Sequence, residues 1–290
     1  MRHDVAMLTA VILYYKNWPT IVTTITRLLS QLPAGAELVL VDNASGDGAV
    51  AKMQPQFPDV HFIVRETNSG YAAGMNDGLR AASRFGSKYA LLMTHECLLE
   101  TGAIELLLQE LENNETTALA GPMLIAQEAP VRIFSAGGQL KGRALVPEHI
   151  GPKAGYGKGA ISTTYDVDWV DGACMMLRLD AAIDVGMMDE RFFLYVEEVE
   201  FALRLRRTGR RVVCVAEAKA SQSTGGIPAY YEARNQVLLS RVHGLHGAFV
   251  LATLRQLRRI LQDYRHGRTA VARQRIFGLI DFYRGKTGQQ

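Results

Sequence analysis

In the stretch YALLMTHECLLE, residues 89–100, a single carboxylate, Glu96, stands where the first apolar run ends. The apolar part is typical of a buried strand, and it breaks off at Thr94, His95 and Glu96. Divalent cations such as Mg²⁺ and Mn²⁺ prefer several oxygen ligands in octahedral geometry. A single glutamate holds such a cation only if phosphate and water oxygens supply the other ligands.

A second acidic stretch, YVEEVEF, contains Glu197, Glu198 and Glu200. Carboxylates favour the first turn of a helix, and Arg204 follows Glu200 by one turn. The spacing alone therefore predicts a helix that begins near these glutamates, with an ion pair one turn along it.

Strands and helices alternate in the first 125 residues. Five short apolar runs are separated by helical or turn-forming stretches: AMLTAVIL, AELVLVD, VHFIVRE, KYALLM and TALAGPM. This order predicts a parallel sheet with crossover helices. Ligands of such sheets bind at the carboxyl ends of the strands, so the residues directly after each run are the candidates for a site.

Two turns follow the second and third runs. In VDNASGDG, residues 41–48, Asp42 ends a strand and the next residues supply turn chemistry, so an ordinary turn is one interpretation. In RETNSGYAAGMNDGL, residues 65–79, Gly70, Gly74 and Gly78 share one face of a predicted helix. That face allows either tight packing on the sheet or the close approach of a ligand.

Composition indicates a globular protein of 290 residues, with 48% hydrophobic and 21% charged residues. Disordered and fibrous classes are thereby excluded. The three cysteines are far apart and form no C-x-x-C spacing, which favours a reducing compartment. The early apolar run VAMLTAVILYY is too short to span a bilayer. We therefore expect a cytoplasmic protein.

The C-terminal end is basic. Residues 246–290 contain nine Lys and Arg against two Asp, a local charge of +7, so the other residues sum to −4 within the overall +3. Apolar residues recur there at helical spacing, which predicts two amphipathic helices. These helices either pack on the main domain or a sister subunit, as in a homodimer, or dock on the inner face of an anionic membrane. The absence of aromatic-basic interleaving argues against nucleic acid.

These stretches together resemble the family-2 glycosyltransferases, and specifically their bacterial rhamnosyltransferase-like branch. Residues 169–212, from WVDGAC to GRRV, resemble the family's acceptor and catalytic segment. YYEARNQVLL resembles its Arg-Asn helix, and GLIDFYRGKTG resembles the closing segment of the branch. The resemblance implies an α/β fold of GT-A type over residues 1–245, with a mostly parallel sheet and flanking helices, followed by basic helices over residues 246–290.

The resemblance also implies roles for particular residues. Glu198 aligns with the carboxylate that acts as general base, and Glu197 is a neighbour able to exchange roles with it. Arg234 is implied as a phosphate ligand, or else as a surface charge of a helix. Contacts to a nucleotide sugar are implied for Asp42, Asn43, Asn68, Gly70, Ala73, Asn76, Thr94, His95 and Glu96, and contacts to the acceptor for Trp169, Asp171 and Gly172. For Trp169, packing in the core is the alternative.

Two departures from the family concern its metal. The family's fourth strand ends in Asp-X-Asp or Asn-Pro-Asp, whereas here Glu96 takes the last place after Thr94 and His95. Relatives place a metal-binding His where this chain has Ser221, Gln222 and Ser223. Two hypotheses remain open: a metal-independent site in which Arg234, or a protonated His95, contacts phosphate, and a Mg²⁺ or Mn²⁺ ion held by Glu96.

The implied activity is inverting glycosyl transfer from a dTDP-linked sugar, such as a deoxysugar, with a UDP-linked sugar as the alternative. The acceptor is a carbohydrate, a lipid-linked sugar or a small molecule. A binding protein that keeps the fold without catalysis is a competing hypothesis, supported by the altered metal motifs. A nucleotidyltransferase is a third, but YYKNWPT after the first strand is not the glycine-rich basic loop that it needs. Residues 130–165, with a hairpin at AGGQLKGR, are predicted to form a loop over the nucleotide.

Overall fold

A computed structural model describes residues 7–128, 132–151, 164–223, 228–244 and 247–289. The strands are β1 Leu8–Tyr14, β2 Glu37–Asp42, β3 Val60–Val64, β4 Tyr89–Thr94, β5 Leu98–Leu99, β6 Thr117–Ala126, β7 Ile133–Ser135, β8 Gly138–Lys141, β9 Val146–His149, β10 Thr164–Asp166, β11 Cys174–Arg178 and β12 Arg211–Gln222. The helices are α1 Trp18–Leu29, α2 Ala49–Met53, α3 Tyr71–Arg84, α4 Ala103–Asn113, α5 Leu179–Asp184, α6 Glu197–Arg207, α7 Ala229–His243, α8 Ala248–Arg265 and α9 Thr269–Tyr283.

The main sheet has the strand order β10-β12-β6-β11-β4-β1-β2-β3. Strands β3, β2, β1 and β4 are parallel, and β6 is parallel to β12. Strand β11 is antiparallel to both β4 and β6, so these two run in the same direction. All five predicted apolar runs form strands that share this direction. The prediction of a mostly parallel sheet with flanking helices is confirmed.

Helices cover both faces of the central strands, which is why these strands are continuous apolar runs. Along β1, Ile12 packs with α1 on one face, whereas Val11 and Leu13 pack with α3 on the other. A Cβ atom on Gly74 or Gly78 of α3 would lie 2.3 Å from Leu13 Cδ1 or 2.2 Å from Val11 Cγ1. These glycines therefore permit tight packing of the helix on the sheet.

The basic end forms the two predicted helices, α8 and α9. Both pack on α7 through a small apolar cluster: Val237, Ala252, Ile260, Ala272, Leu279 and Phe282. The predicted boundary at residues 245–246 lies outside the described residues. Helix α7 belongs to the predicted segment 1–245, and α8 and α9 belong to the segment 246–290, so this apolar cluster connects the two segments. In the described ranges, no helix is both long and apolar enough to cross a membrane.

The predicted hairpin at AGGQLKGR is also present. Strands β8 and β9 pair with each other in a separate two-stranded sheet. Gly138 forms a bridge with Trp169, which attaches this hairpin to the segment that leads into β11. Residues 130–131 and 152–163 of the predicted covering loop lie outside the described residues.

Candidate active site

A cavity of about 720 Å³ lies at the edge of the sheet where β1, β2 and β4 end. This volume is typical of sites for small-molecule ligands. The predicted site residues that line it are Asn43, Asn68, Gly70, Thr94, His95, Glu96, Trp169, Asp171, Gly172, Glu197 and Glu198. The strand ends therefore bring together residues that are up to 155 positions apart, from Asn43 to Glu198.

The loops after β2 and β3 are joined by side-chain hydrogen bonds. Asn43 Nδ2 donates to Asn68 Oδ1 at 2.9 Å and to the Gly70 carbonyl oxygen at 3.1 Å. Asn68 Oδ1 also accepts from the Gly70 N–H at 3.0 Å. These bonds hold the beginning of α3 beside the end of β2, where a nucleotide would meet both loops.

Asp42, Ala73 and Asn76 do not line the cavity, in contrast to the prediction from the resemblance. Asp42 is buried, and its Oδ1 accepts from the Ser45 N–H at 2.9 Å, so it stabilises the turn. Asn76 donates to the Met188 carbonyl oxygen at 2.9 Å and accepts from the Met188 N–H at 3.0 Å. Asn76 and the buried Ala73 therefore belong to the packing of α3.

Three of the four residues directly before α6, residues 193–196, have left-handed backbone conformations. Phe193, Tyr195 and Val196 have φ angles of 64°, 67° and 76°. Such conformations are costly for bulky residues and occur where the surrounding structure enforces them, often at functional sites. This strained segment ends at Glu197 and Glu198, so its conformation determines where both carboxylates lie.

Arg234 and Asn235 of α7 hold the strained segment. Asn235 Nδ2 lies 2.8 Å from the carbonyl oxygens of Phe192 and Tyr195, and Arg234 Nη2 donates to the Phe192 carbonyl oxygen at 2.7 Å. Arg234 is 1% exposed and also donates to the Gly288 carbonyl oxygen. Because its guanidinium is buried on backbone carbonyls, this placement argues against both predicted roles, phosphate ligand and surface charge.

Glu197 and Glu198 begin α6 and face the cavity. Burial raises the pKa of Glu197 to about 7, and backbone N–H groups and Arg234 offset only part of the effect. Burial, followed by the negative charges of Glu197 and Asp171, raises the pKa of Glu198 well above its usual value. Such raised values are typical of carboxylates that exchange protons with a substrate near neutral pH.

Glu200 has the structural role that the spacing predicted. It pairs with Arg204 at 2.7 Å and with His243 at 2.7 Å. Burial alone would raise its pKa, but the hydrogen bonds from His243 and Arg204 outweigh burial and lower it. Of the three glutamates, Glu200 is therefore the one that stabilises the helix.

The acceptor residues predicted from the resemblance also line the cavity, and a Cβ atom on Gly172 would lie 3.6 Å from the Glu198 Cβ atom. Trp169 is buried against Gly138, where an added Cβ atom would lie 1.9 Å from the indole ring. The ring still contributes to the cavity wall, so Trp169 packs in the core and lines the site. His149 of β9 lies with Nδ1 3.5 Å from Asp171 Oδ2. Burial raises the pKa of Asp171, and His149 partly counteracts this effect.

Thr94, His95 and Glu96 form the wall after β4. Burial lowers the pKa of His95, so the ring is neutral at neutral pH. Its Nδ1 lies 3.3 Å from the Leu13 carbonyl oxygen, which only accepts, so Nδ1 is the protonated nitrogen and Nε2 is an acceptor. The predicted donation from a protonated His95 to a phosphate is therefore not available in this structure.

Glu96 is the one carboxylate of this wall. Its Oε2 accepts from Ser223 Oγ at 2.7 Å. Within the part of the chain that the structure describes, no three His, Cys, Asp or Glu residues are placed to share a metal ion. The side chains present therefore fit a divalent cation only if phosphate and water oxygens complete its coordination.

Six buried polar atoms of residues that line the cavity have no hydrogen-bond partner among the described residues. They are Asn43 Oδ1, His95 Nε2, Trp169 Nε1, Asp171 Oδ2, Glu197 Oε2 and Gln236 Nε2. Buried polar atoms are normally satisfied, because an unmade hydrogen bond costs free energy. Their convergence on one cavity indicates a polar ligand with several hydroxyl or phosphate groups.

Several residues of the wall were not identified from the sequence. His149 arrives on the predicted hairpin, and Tyr195 lies in the strained segment. Arg255 and Arg259 of α8 also line the cavity, and Arg259 pairs with Glu232. The basic helical pattern of α8 was visible in the sequence, but nothing in it showed which arginines turn toward the site.

Comparison with known proteins accounts for this architecture. The model of glycosyl transferase family 2 matches residues 9–186, more than half of the chain. The chain belongs to glycosyl transferase family 2. This glycosyltransferase is 24% identical over 231 residues to the N-acetylglucosaminyl-diphospho-decaprenol L-rhamnosyltransferase of Mycobacterium tuberculosis, covering 70% of this chain and 74% of the relative. It is 26% identical over 186 residues to the low-salt glycan biosynthesis hexosyltransferase Agl10 of Haloferax volcanii, covering 63% of this chain and 57% of the relative.

Solved structures confirm the GT-A fold of the glycosyltransferase. GalNAc-T7 with UDP, GalNAc and Mn²⁺ superposes with a TM-score of 0.66 at 14% identity, covering 82% of this chain and about half, 48%, of that chain. The mannosyltransferase PcManGT from Pyrobaculum calidifontis, with GDP-Man and Mn²⁺, superposes with a TM-score of 0.57 at 12% identity. This second match covers 97% of this chain and 88% of that chain.

Proposed function

We propose that the protein is an inverting glycosyltransferase that transfers a deoxysugar, such as rhamnose, from a dTDP-linked donor to a hydroxyl group of a lipid-linked diphosphate acceptor. The similarity to the mycobacterial L-rhamnosyltransferase supports both substrate classes. A UDP-linked sugar is the second candidate for the donor. The cavity volume suits a sugar bound between the donor nucleotide and the acceptor. The buried polar atoms of the wall that lack hydrogen-bond partners among the described residues would bind its hydroxyl groups.

The observation that carries this proposal is the cluster of Glu197, Glu198 and Asp171 in the cavity, with raised pKa values for all three carboxyl groups. We assign the general base to Glu198, which is less buried than Glu197. Glu198 takes the proton of the acceptor hydroxyl as its oxygen bonds to the anomeric carbon. The bond to the diphosphate breaks on the opposite face, and its electron pair leaves with the diphosphate.

The departing diphosphate needs positive charge near it. Glu96 carries a half-exposed carboxylate on the wall, and a carboxylate repels a diphosphate unless a cation lies between them. We therefore assign to Glu96 the role of ligand for a divalent cation that enters with the nucleotide. Such a cation would neutralise phosphate oxygens and so assist departure of the leaving group. The alternative is a metal-independent site in which Arg255 and Arg259 supply the charge.

The test is substitution of Glu198 by Gln, with Glu217→Gln as a control on an exposed carboxylate of β12. Transfer is measured with dTDP-rhamnose, and nucleotide affinity is measured by calorimetry with dTDP. Loss of the base is expected to lower turnover about 10²–10⁴-fold. The dissociation constant for dTDP should change less than about threefold, because Glu198 is not assigned to the nucleotide. Unchanged turnover would remove Glu198 from the role of base.

A noncatalytic sugar-nucleotide binding protein is the second candidate. The observation that favours it concerns the wall formed by Thr94, His95 and Glu96. Glu96 is the one carboxylate there that could bind a metal, and it already accepts a hydrogen bond from Ser223. This candidate predicts that dTDP binds while no transfer is detected with either donor class. It also predicts that Glu198→Gln leaves the dissociation constant for dTDP unchanged.

A further inference from the structure

Helix α8 carries two exposed rows of side chains beside its buried side. One row, here named the apolar row, repeats at alternating spacings of four and three residues, and its members are between 44% and 58% exposed: Val250, Leu254, Leu257, Leu261 and Tyr264. The next row, here named the arginine row, is displaced by one residue: Leu251, Arg255, Arg258, Gln262 and Arg265. Because these spacings follow the helical repeat, each row runs along the length of the helix.

Helix α9 widens the apolar row. Phe277, Ile280 and Tyr283 are 53%, 37% and 58% exposed. The Tyr283 hydroxyl lies 2.8 Å from Thr253 Oγ1, and Thr253 precedes Leu254 of the apolar row. The exposed apolar side chains of the two helices therefore meet at the contact between Tyr283 and Thr253, and we name these side chains together the apolar face.

The apolar face is not needed for the packing of these helices. Their mutual core consists of buried residues on the other side, including Ala252, Ile260 and Leu279. Monomeric soluble proteins rarely expose a large contiguous apolar patch without a binding role. Something other than this chain's own core therefore covers the face.

Charge identifies what covers it. The two acidic residues of α8 and α9 are already engaged: Asp263 pairs with Arg275 at 2.9 Å, and Asp281 accepts from Tyr230 at 2.9 Å. In the described residues, Arg255, Arg258 and Arg265 have no carboxylate partner. A second copy placed symmetrically on this face would bring further arginines and no free carboxylate. A surface of anionic lipid phosphates matches the apolar and basic rows together.

We propose that α8 and α9 dock the protein on an anionic bilayer, with the apolar face in the boundary between acyl chains and headgroups and the arginine row at the lipid phosphates. Arg255 belongs to this row and also lines the cavity. The active-site cavity therefore opens at the level of the lipid phosphates, where a diphosphate-linked acceptor would be held. The presentation of this acceptor rests on the proposed function, whereas the docking itself does not.

The test is co-sedimentation of the full chain with vesicles, measured without donor or acceptor. Vesicles of phosphatidylcholine alone are compared with vesicles that also contain phosphatidylglycerol. Wild-type protein is expected to bind the anionic vesicles at least about tenfold more tightly than the vesicles of phosphatidylcholine alone. This binding is expected to be lost at high salt. Protein that fails to bind the anionic vesicles, or binds both kinds equally, would overturn the proposal.

Two sets of variants separate the contributions of the rows. Leu254→Asp with Leu261→Asp is expected to weaken vesicle binding at least about tenfold, because apolar area is lost from the interface. Arg258→Glu with Arg265→Glu is expected to remove the preference for anionic vesicles. Val64→Asp, at a side chain 59% exposed on β3, is the matched control and should bind as wild type does.

Two further measurements keep the outcomes distinct. Transfer to a short-chain, water-soluble acceptor should survive the leucine substitutions, so a failure of the proposed enzyme activity would show as lost transfer with intact vesicle binding. Sedimentation velocity reports the oligomeric state. A wild-type dimer that the leucine variant converts to monomer, with vesicle binding unchanged, would show that a second copy covers the face and would refute the docking proposal.

Discussion

Replacing Glu197 by Gln should make the protein more stable at alkaline pH. Glu197 is 3% exposed, and its Oε2 has no hydrogen-bond partner within the described ranges. The ionised form of this side chain is therefore a buried and incompletely compensated charge. Gln has nearly the same shape, and its carbonyl oxygen can still accept from a backbone N–H, so the substitution removes the charge with little change in packing.

The magnitude follows from the pKa of Glu197, which is raised from 4.5 to about 7. Between these values the folded protein keeps a proton that the unfolded chain has lost, so the free energy of unfolding falls as the pH rises. The loss is complete above about pH 7, and at about 1.4 kcal/mol per pKa unit it amounts to about 3 kcal/mol. We expect Glu197→Gln to recover about 1–3 kcal/mol at about pH 8 and almost nothing at about pH 4, where wild-type Glu197 is protonated.

The assay is urea unfolding of both proteins across this pH range, with the free energy of unfolding as the measured quantity. Glu200→Gln is the matched control on the same helix, because its pKa is lowered by His243 and Arg204 against the effect of burial. Its contribution is present above the unfolded pKa and is lost as the pH falls, so this variant should be destabilised at neutral pH by about 3 kcal/mol. Equal stability of Glu197→Gln and wild type at about pH 8 would show that the Glu197 charge is compensated, contrary to the structure.

Three other predictions concern ligands and packing. Calorimetry with dTDP should show affinity about tenfold or more higher with Mn²⁺ than with EDTA, and Glu96→Gln should abolish this difference; equal affinity in EDTA would favour neutralisation by arginines. Arg255→Ala should raise the KM for a lipid diphosphate acceptor about tenfold while leaving the dTDP affinity unchanged, and a change confined to dTDP would place Arg255 at the donor. Gly70→Ala should lower the free energy of unfolding by about 2 kcal/mol or more, because its Cβ atom would lie 2.1 Å from the Phe193 carbonyl oxygen. Gly48→Ala, whose Cβ atom would meet nothing within 4 Å, should lose only about 1 kcal/mol, and equal losses would refute the packing argument.

The sequence alone determined the sheet and the residues at its edge. Strands buried on both faces must be apolar throughout, so the runs that form β1, β2 and β4 are legible without a structure. The residues after these runs, such as Asn43 and Glu96, necessarily come together, since parallel strands end at one edge. The family motifs added candidate roles, and the structure places Glu197 and Glu198 in the cavity with them.

Tertiary structure decided which of several similar side chains are free to meet a ligand. Glu197 and Glu200 are the same residue type three positions apart, yet only Glu200 meets Arg204 and His243, and no local pattern contains His243. Asp42 and Asn76 likewise have polar side chains that the structure uses within its own turns and packing.

The arginines show the same division. Arg234 lies in a motif, but the carbonyl oxygens of Phe192 and Gly288 occupy its guanidinium. Arg255 belongs to no motif, and it reaches the cavity because α8 packs on α7 in one particular rotation. The periodicity of the sequence shows that α8 has a buried side. The packing of that side on α7 determines the direction in which each arginine points. The sequence thus specified the elements and the edge of the sheet, and the long-range contacts selected the functional groups among them.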